Sequence, residues 1–364
     1  MLTNNRYPYY NYCKPNILKW LTIFRLGVEP FMSMETQEKV DLFSLAQEVI
    51  AGKAISKDEA LAILNTPNSE ILPLLHAAYQ IRHHYYGNKV KLNMIINAKS
   101  GHCSEDCGYC SQSMVSTAPV EKYPLLERKT ILEGARKAKD LKAGTYCIVT
   151  SGKKPTNNEV DEVIEAIKEI KATMSINVCA CLGLITPEQA KRIKEAGCDR
   201  FNHNINTTAE HYSKVASTHT YQDRLDTLNV IKEAGMSPCS GVIIGLGETE
   251  EQVVDMAFEL KEVDPQSIPV NFLNPIPGTP MENLRDNSPM KSLKVLALFR
   301  FVNPTKEIRI SGGREVNLNT LQPMGLFAAN SIFVGDYLTT DGQLVSMDHQ
   351  MIQDLGFEIE EVIE

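Results

Sequence analysis

The chain has 364 residues, 43% hydrophobic and 23% charged, with a formal net charge of −8. Its acidic balance excludes non-specific nucleic-acid binding and attraction to an anionic membrane, and no apolar run approaches the roughly 20 residues of a bilayer span. The nine cysteines are too sparse for a disulfide-stapled secreted scaffold. They read as reduced thiols of a cytoplasmic protein, hence metal ligands, nucleophiles or core residues.

Residues 1–33 are aromatic and weakly basic. "ILKWLTIF" imitates a short apolar region, but Lys19 interrupts it and no A-x-A-like cleavage site follows, so no signal peptide is expected. The segment reads as a disordered extension or an upstream start, with the real start at Met32 or Met34. Residues 34–86 are expected to form helices that cap the main domain. "DLFSLAQEVIAG" puts Leu42, Leu45, Ala46 and Val49 on one face and stops at Gly52. "SKDEALAIL" starts another helix, with Ser56 as cap and Glu59 closing a capping box.

The first good strand is "KVKLNMIIN". Directly after it, "SGHCSEDCGYCSQS" brings Cys103, Cys107 and Cys110 into one loop. Three thiolates are one too few to close a tetrahedral metal site, and the spacing lacks the paired C-x2-C elements of a zinc finger. His102 is an awkward fourth ligand, because its chain neighbour Cys103 is itself a ligand. A cubane iron–sulfur cluster on three thiolates, with one iron open to a small molecule, suits the pattern. A structural zinc, or three unrelated thiols, is the plain alternative.

A unit then repeats. "ARKAKDLKAGTYCIVTSG", "AKRIKEAGCDRFNHNIN" and "LNVIKEAGMSPCSGVIIGLG" each give a basic amphipathic helix, then Gly144, Gly197 or Gly235, then a strand. The glycine suits the left-handed position that ends a helix, and the cations suit the negative end of its dipole. With "SINVCACLGL", "SIPVNFL", "EIRISG" and "NSIFVGD", about eight strands alternate with helices. The expected fold is an α/β (β/α)8 TIM-type barrel over residues 87–345 with an N-terminal helical extension, then a C-terminal tail at 346–364. A doubly wound open sheet is the alternative. Both put chemistry at the C-terminal ends of the strands.

Six other cysteines remain: Cys13, Cys147, Cys179, Cys181, Cys198 and Cys239. Cys147, Cys179 and Cys239 fall on three different strands, so their thiols can converge inside a barrel; singly, each reads as a small core residue. "FNHNIN" sets Asn202, Asn204 and Asn206 at period two, a polar stripe on one side of a strand, with His203 on the other side as a structural hydrogen-bonding residue. Arg224, near a helix start, reads by itself as a solvated charge. Gly245 and Gly247 let the backbone approach a ligand, and Thr249 with Gln252 caps the next helix. Arg309 reads as a salt-bridge or carboxylate-binding residue.

The triplet, with Tyr109 before its last cysteine, resembles the hallmark of the radical S-adenosylmethionine enzymes. The resemblance implies a 4Fe–4S cluster on Cys103, Cys107 and Cys110, whose open iron chelates S-adenosylmethionine and whose electron releases a 5′-deoxyadenosyl radical. "CSEDCGYCSQS", "NVCACLG", "RFNHNINT", "TYQDRLDTL", "CSGVIIGLGET", "VNFLNPIPGTP" and "RISGGRE" narrow it. Nearly the whole chain after residue 35 is similar to the biotin synthase family. That implies sulfur insertion into dethiobiotin, with a 2Fe–2S cluster on Cys147, Cys179, Cys239 and Arg309 as sulfur donor, and no catalytic side chain beyond the clusters. Family register favours Cys179 over Cys181.

The resemblance also puts Asn202, Asn204 and Asn271 on the substrate, and Tyr109, Asn204, Asn206 and Arg224 on S-adenosylmethionine, the last at its carboxylate. Asn206 stands where that family often has Asp; an amide oxygen still accepts a ribose hydroxyl, without charge assistance. The implied partners are an electron donor such as flavodoxin or ferredoxin, iron–sulfur assembly proteins and a second copy in a homodimer. Another radical enzyme of the same barrel group would keep the triplet without needing the second ligand set. A non-enzymatic iron–sulfur carrier would keep the thiols without needing the asparagine stripe, Arg224 or Asn271.

Overall fold

A computed structural model describes residues 40–361. The expected extension at 1–33, Met32, Met34 and Cys13 lie outside the described residues. Three helices come first: α1 (Leu42–Ile50), α2 (Lys57–Leu64) and α3 (Ile71–Tyr86). Leu45, Ala46 and Val49 form the buried face of α1, as a 3.6-residue period demands. α2 opens on the Ser56–Glu59 capping box.

The strands are β1 (Lys89–Lys99), β2 (Thr145–Thr150), β3 (Asn177–Cys181), β4 (Arg200–Asn202), β5 (Ser237–Cys239), β6 (Val242–Ile244), β7 (Ser267–Phe272), β8 (Glu307–Ile310) and β9 (Ser331–Phe333). Neighbours in this ring pair in parallel, and β9 returns to β1 with Leu92 opposite Ile332. That pairing closes the sheet into a (β/α)8 barrel and removes the open-sheet alternative. β5 and β6 share one barrel position, since both pair with β7. Their break has a local cause. Pro269 in β7 has no N–H for the ladder, and a Cβ on Gly241 would stand 1.9 Å from the Pro269 carbonyl oxygen, so only glycine passes there.

Between the strands run α4 (Arg128–Asp140), α5 (Asn157–Thr173), α6 (Pro187–Glu195), α7 (Tyr221–Glu233), α8 (Glu250–Val263) and α9 (Pro289–Val302). α5 to α8 each open on a capping box, with Thr156, Thr186, Thr220 and Thr249 as caps. Gly197 and Gly235 take the left-handed turn after α6 and α7, at φ 96° and 76°. Gly144 does not, against the repeat's expectation: Lys142 turns instead, at φ 60°. The Gly144 N–H already donates to the Leu92 carbonyl at 2.9 Å, so the chain has joined β1 before it reaches the glycine.

α1 lies on α3, and α2 and α3 lie against α9. Fully buried Arg82 of α3 donates from Nε to the Ala329 carbonyl at 3.2 Å and from Nη2 to the Lys89 carbonyl at 2.8 Å. It ties the helices to the N-terminal ends of β1 and β9. The expected C-terminal tail has structure of its own. It carries a helix (Val345–Asp354) and β10 (Glu358–Ile359), which pairs with Lys89 and Val90, while Ile352 and Phe357 join the core.

Candidate active site

The C-terminal ends of the strands open onto a cavity of about 430 Å³, lined by Cys103, Cys107 and Cys110 and also by Cys147, Cys181 and Arg309. The triplet loop is held in shape by its own backbone. The Cys110 N–H donates to the Cys107 carbonyl at 3.1 Å, and the Met114 N–H to the Glu105 carbonyl at 2.9 Å. Asp106 clips the loop to the segment before α7: its Oδ1 accepts from the Ser217 N–H at 2.9 Å and the Thr218 N–H at 3.2 Å. Desolvation opposes ionisation of Asp106, yet the Ser217 and Thr218 donors hold its carboxyl well below the usual range. Burial pushes the Cys107 thiol up to about 12 and raises Cys110.

The second set meets inside the ring. Cys147 of β2 stands in register with Cys179 of β3, and Cys239 of β5 with Asn202 of β4. All three are buried. The Cys179 thiol shares hydrogen bonds with Cys147 and Cys239, which raise its pKa. Cys239 moves the other way: the bond to Cys179, with the Arg309 guanidinium, draws it down to about 5. Arg309 makes the ion pair its residue type suggests, to Glu307 at 2.6 Å. It still turns Nη1 toward the Cys239 sulfur, at 3.8 Å. Three thiols from three strands form a donor set that fits an iron–sulfur group; Arg309, ion-paired and protonated here, would join it only by giving up an Nη1 proton. Cys181 faces the same cavity, one pleat further along β3 beside Val149.

Asn202, Asn204 and Asn206 all line the cavity, but so does His203, which strand alternation sent to the opposite side. The reason is that β4 ends at Asn202. The chain beyond it bends, and Asn206 takes φ 68°. His203 is buried and its Nε2 meets no partner among the described residues; burial, then Arg224, holds its pKa well below the ordinary value. Asn206 Nδ2 donates to the Tyr109 hydroxyl at 3.0 Å. Asn204 Oδ1 accepts from Asn202 Nδ2 and from the Gly241 N–H, each at 3.1 Å. Asn271 Nδ2 donates to the Val242 carbonyl, and its Oδ1 accepts from the Gly312 N–H, each at 3.0 Å.

Arg224 is no solvated charge: it lines the cavity. Its Nη1 donates to the Asn204 carbonyl at 2.9 Å, its Nη2 meets His219 Nε2 at 2.8 Å, and its Nε donates to the Tyr212 hydroxyl. His219 Nδ1 in turn faces Glu105 at 2.6 Å. Burial and the Arg224 charge lower the His219 pKa, so a neutral ring gives its Nδ1–H to Glu105 and its Nε2 lone pair to Arg224. Gly245 takes φ 99°, and a Cβ there would stand 2.5 Å from Asn287 Nδ2, so packing within the protein already calls for glycine. The capping pair Thr249 and Gln252 forms as expected. Residue-type reasoning passed over Glu105, His219, Arg200 and Glu307. For Glu307 a signal existed, since "EIRI" sets two opposite charges at period two inside an apolar run.

Two family models match the chain: the radical SAM superfamily over residues 99–260, and the biotin and thiamin synthesis associated domain over residues 269–358. The chain is 61% identical to a biotin synthase of Halalkalibacterium halodurans over 320 residues, which cover 88% of this chain and 96% of that one. It is 60% identical to a biotin synthase of Bacillus subtilis with the same coverage. Among solved structures, a methylornithine synthase superposes with a TM-score of 0.76 at 20% identity, over 87% of this chain and 97% of that one. The hydrogenase maturase HydG of Carboxydothermus hydrogenoformans gives 0.74 at 19%, over 88% and 79%; both likenesses concern the fold. With its closed barrel, its two converging thiol sets and relatives this similar along their whole length, the chain belongs to the biotin synthase family.

Proposed function

We propose that Cys103, Cys107 and Cys110 hold a 4Fe–4S cluster, and that Cys147, Cys179, Cys239 and Arg309 hold a 2Fe–2S cluster. The activity is that of the family: a sulfurtransferase reaction that inserts sulfur into dethiobiotin to form biotin, using S-adenosylmethionine. When bound, the first cluster with S-adenosylmethionine supplies a carbon radical and the second supplies sulfur, chemistry that side chains cannot initiate. The observation carrying the assignment is that the triplet shares one cavity with Cys147 and Arg309 of the second set, while Cys179 and Cys239 lie buried beside them in the ring.

The side chains bind and orient. Arg224 takes the carboxylate of S-adenosylmethionine. Three of its five N–H groups are engaged by protein partners, which leaves two for a bidentate grip. Asn206 gives its Nδ2 to Tyr109 and keeps Oδ1 for a ribose hydroxyl. Asn204 lies between cofactor and substrate, and Asn202 and Asn271 hold dethiobiotin. Ile95, Val149, Ile243 and Phe333 supply apolar walls that keep water from reactive carbon. Residues 87–345 carry this chemistry, braced by the described parts of the flanking segments, 40–86 and 346–361. The reconstituted chain, incubated anaerobically with dethiobiotin, S-adenosylmethionine and a reductant, yields biotin by mass spectrometry. Absence of biotin with both clusters present would sink the substrate assignment.

An acidic electron carrier such as flavodoxin or ferredoxin would supply the electron to a cluster held by Cys103, Cys107 and Cys110. A second concavity, of about 600 Å³, opens beside Cys103 and is lined by Lys99, His102, Lys153 and Lys154. Lys99 is paired with Glu159 at 2.6 Å and Lys153 faces Glu105 at 3.9 Å, so Lys154 is the lysine of this basin left to meet an acidic partner, and such complementarity acts mainly on association rate. Lys154→Glu is expected to slow reduction by flavodoxin roughly tenfold at low salt and little at high salt. Equal rates at both ionic strengths would remove the basin from docking. No described helix is long and apolar enough to cross a membrane. We place the enzyme in the cytoplasm, as a homodimer supplied by iron–sulfur assembly proteins; sedimentation of a monomer would refute the dimer.

A further inference from the structure

Barrel interiors of this kind are usually filled by bulky branched residues. Here the N-terminal half of the ring holds charge. Glu307, Arg309, Arg200 and Lys91 project into it from β8, β4 and β1. Glu307 is buried and carries the cluster's one negative charge. Its Oε1 accepts from Arg309 Nη2 at 2.6 Å and from the hydroxyls of Ser267 and Ser331 at 3.0 Å each. Its Oε2 accepts from Arg200 Nη1 at 2.7 Å and faces Lys91 Nζ at 3.7 Å.

We propose that Glu307 is a positioning residue for Arg309, and that Arg200 and Lys91 are the counter-charges that let its carboxylate stand inside the barrel. The proposal rests on the assignment of Arg309 to the 2Fe–2S site. Arg309 has three nitrogens to place. Nη2 is held by Glu307 and by Ser267 at 2.7 Å, Nε faces Ser331 at 3.4 Å, and the guanidinium stacks 5.0 Å from the Phe333 ring centre. Nη1 alone is left toward Cys239. Both serines that steady the guanidinium are themselves bonded to Glu307 Oε1, so one carboxylate sets the whole fork. An unpaired buried carboxylate would be costly. Arg200 and Lys91 by themselves offset that charge, so the carboxylate would stay paired when Arg309 gave up an Nη1 proton to bind iron.

The full chain is reconstituted anaerobically as wild type, Glu307→Gln and Glu307→Asp. In Glu307→Gln the 4Fe–4S content matches wild type, the 2Fe–2S visible bands shift, and the 2Fe–2S iron is lost to a chelator roughly 10–100-fold faster, the usual cost of losing a partner that orients a ligand. Glu307→Asp keeps the charge, so it folds, but it draws the carboxylate back by one methylene; its bands shift in the same sense with a smaller acceleration. A purely structural role would lower thermal stability and leave the bands in place. Wild-type bands and loss rates in Glu307→Asp would overturn the proposal, whatever the fate of the Gln variant. A wild-type chain without 2Fe–2S absorption would overturn the site assignment, and the proposal with it.

Discussion

Cys107→Ala is expected to lose reductive cleavage of S-adenosylmethionine, with 5′-deoxyadenosine and biotin both falling to the level of a protein-free control. Losing a partner that merely orients a ligand already costs roughly 10–100-fold in metal affinity; losing one of three ligands costs more. The fold should survive. Cys107 is small and buried, and its loop is fixed by other groups, with Asp106 bonded to Ser217 and Thr218 and the Met114 N–H to the Glu105 carbonyl. Iron and sulfide analysis on the purified variant should show only the second cluster, with circular dichroism unchanged. A variant that still forms 5′-deoxyadenosine would take Cys107 out of the ligand set.

The second large effect separates two cysteines of one strand. Cys179→Ala should lose the 2Fe–2S spectrum and biotin formation while 5′-deoxyadenosine still appears. Cys181→Ala should keep the spectrum and make biotin within about threefold of wild type, as expected of a residue away from the key contacts. The reason lies in register. Cys179 is level with Cys147, and the neighbouring Cys147 and Cys239 thiols raise its pKa. Cys181 is level with Val149 instead. Retention of the spectrum in Cys179→Ala and its loss in Cys181→Ala would transfer the ligand role to Cys181.

Much of the site is legible in residue order because its elements are regular. The loop triplet is local, and three cysteines on three strands turn inward by simple alternation, as Cys147, Cys179 and Cys239 do. Alternation misleads where a strand stops. β4 ends at Asn202, so His203 enters the cavity with the asparagines. The Gly144 expectation failed because helix-ending signals do not reveal when the chain has already joined a strand. Arg224 could not be told from a surface charge, since its partners Tyr212, His219 and Asn204 come from other segments. The Glu307 cluster lay deeper still. It needs β1, β4 and β8 side by side across one ring, and only the closed barrel brings Lys91, Arg200 and Glu307 together.

Ring closure also sets an order in time. The triplet's three thiols lie in one short loop, while Cys147, Cys179, Cys239 and Arg309 are spread over four strands. Closing a long loop costs more entropy than a short one, and distant contacts form later. During synthesis the triplet leaves the ribosome as a unit, long before Arg309 is made. The thiols proposed for the first cluster are therefore complete early, and those proposed for the second are joined by Arg309 only once β8 is made. A nascent chain halted before β8 would carry the part that generates radicals without the part that puts them to use.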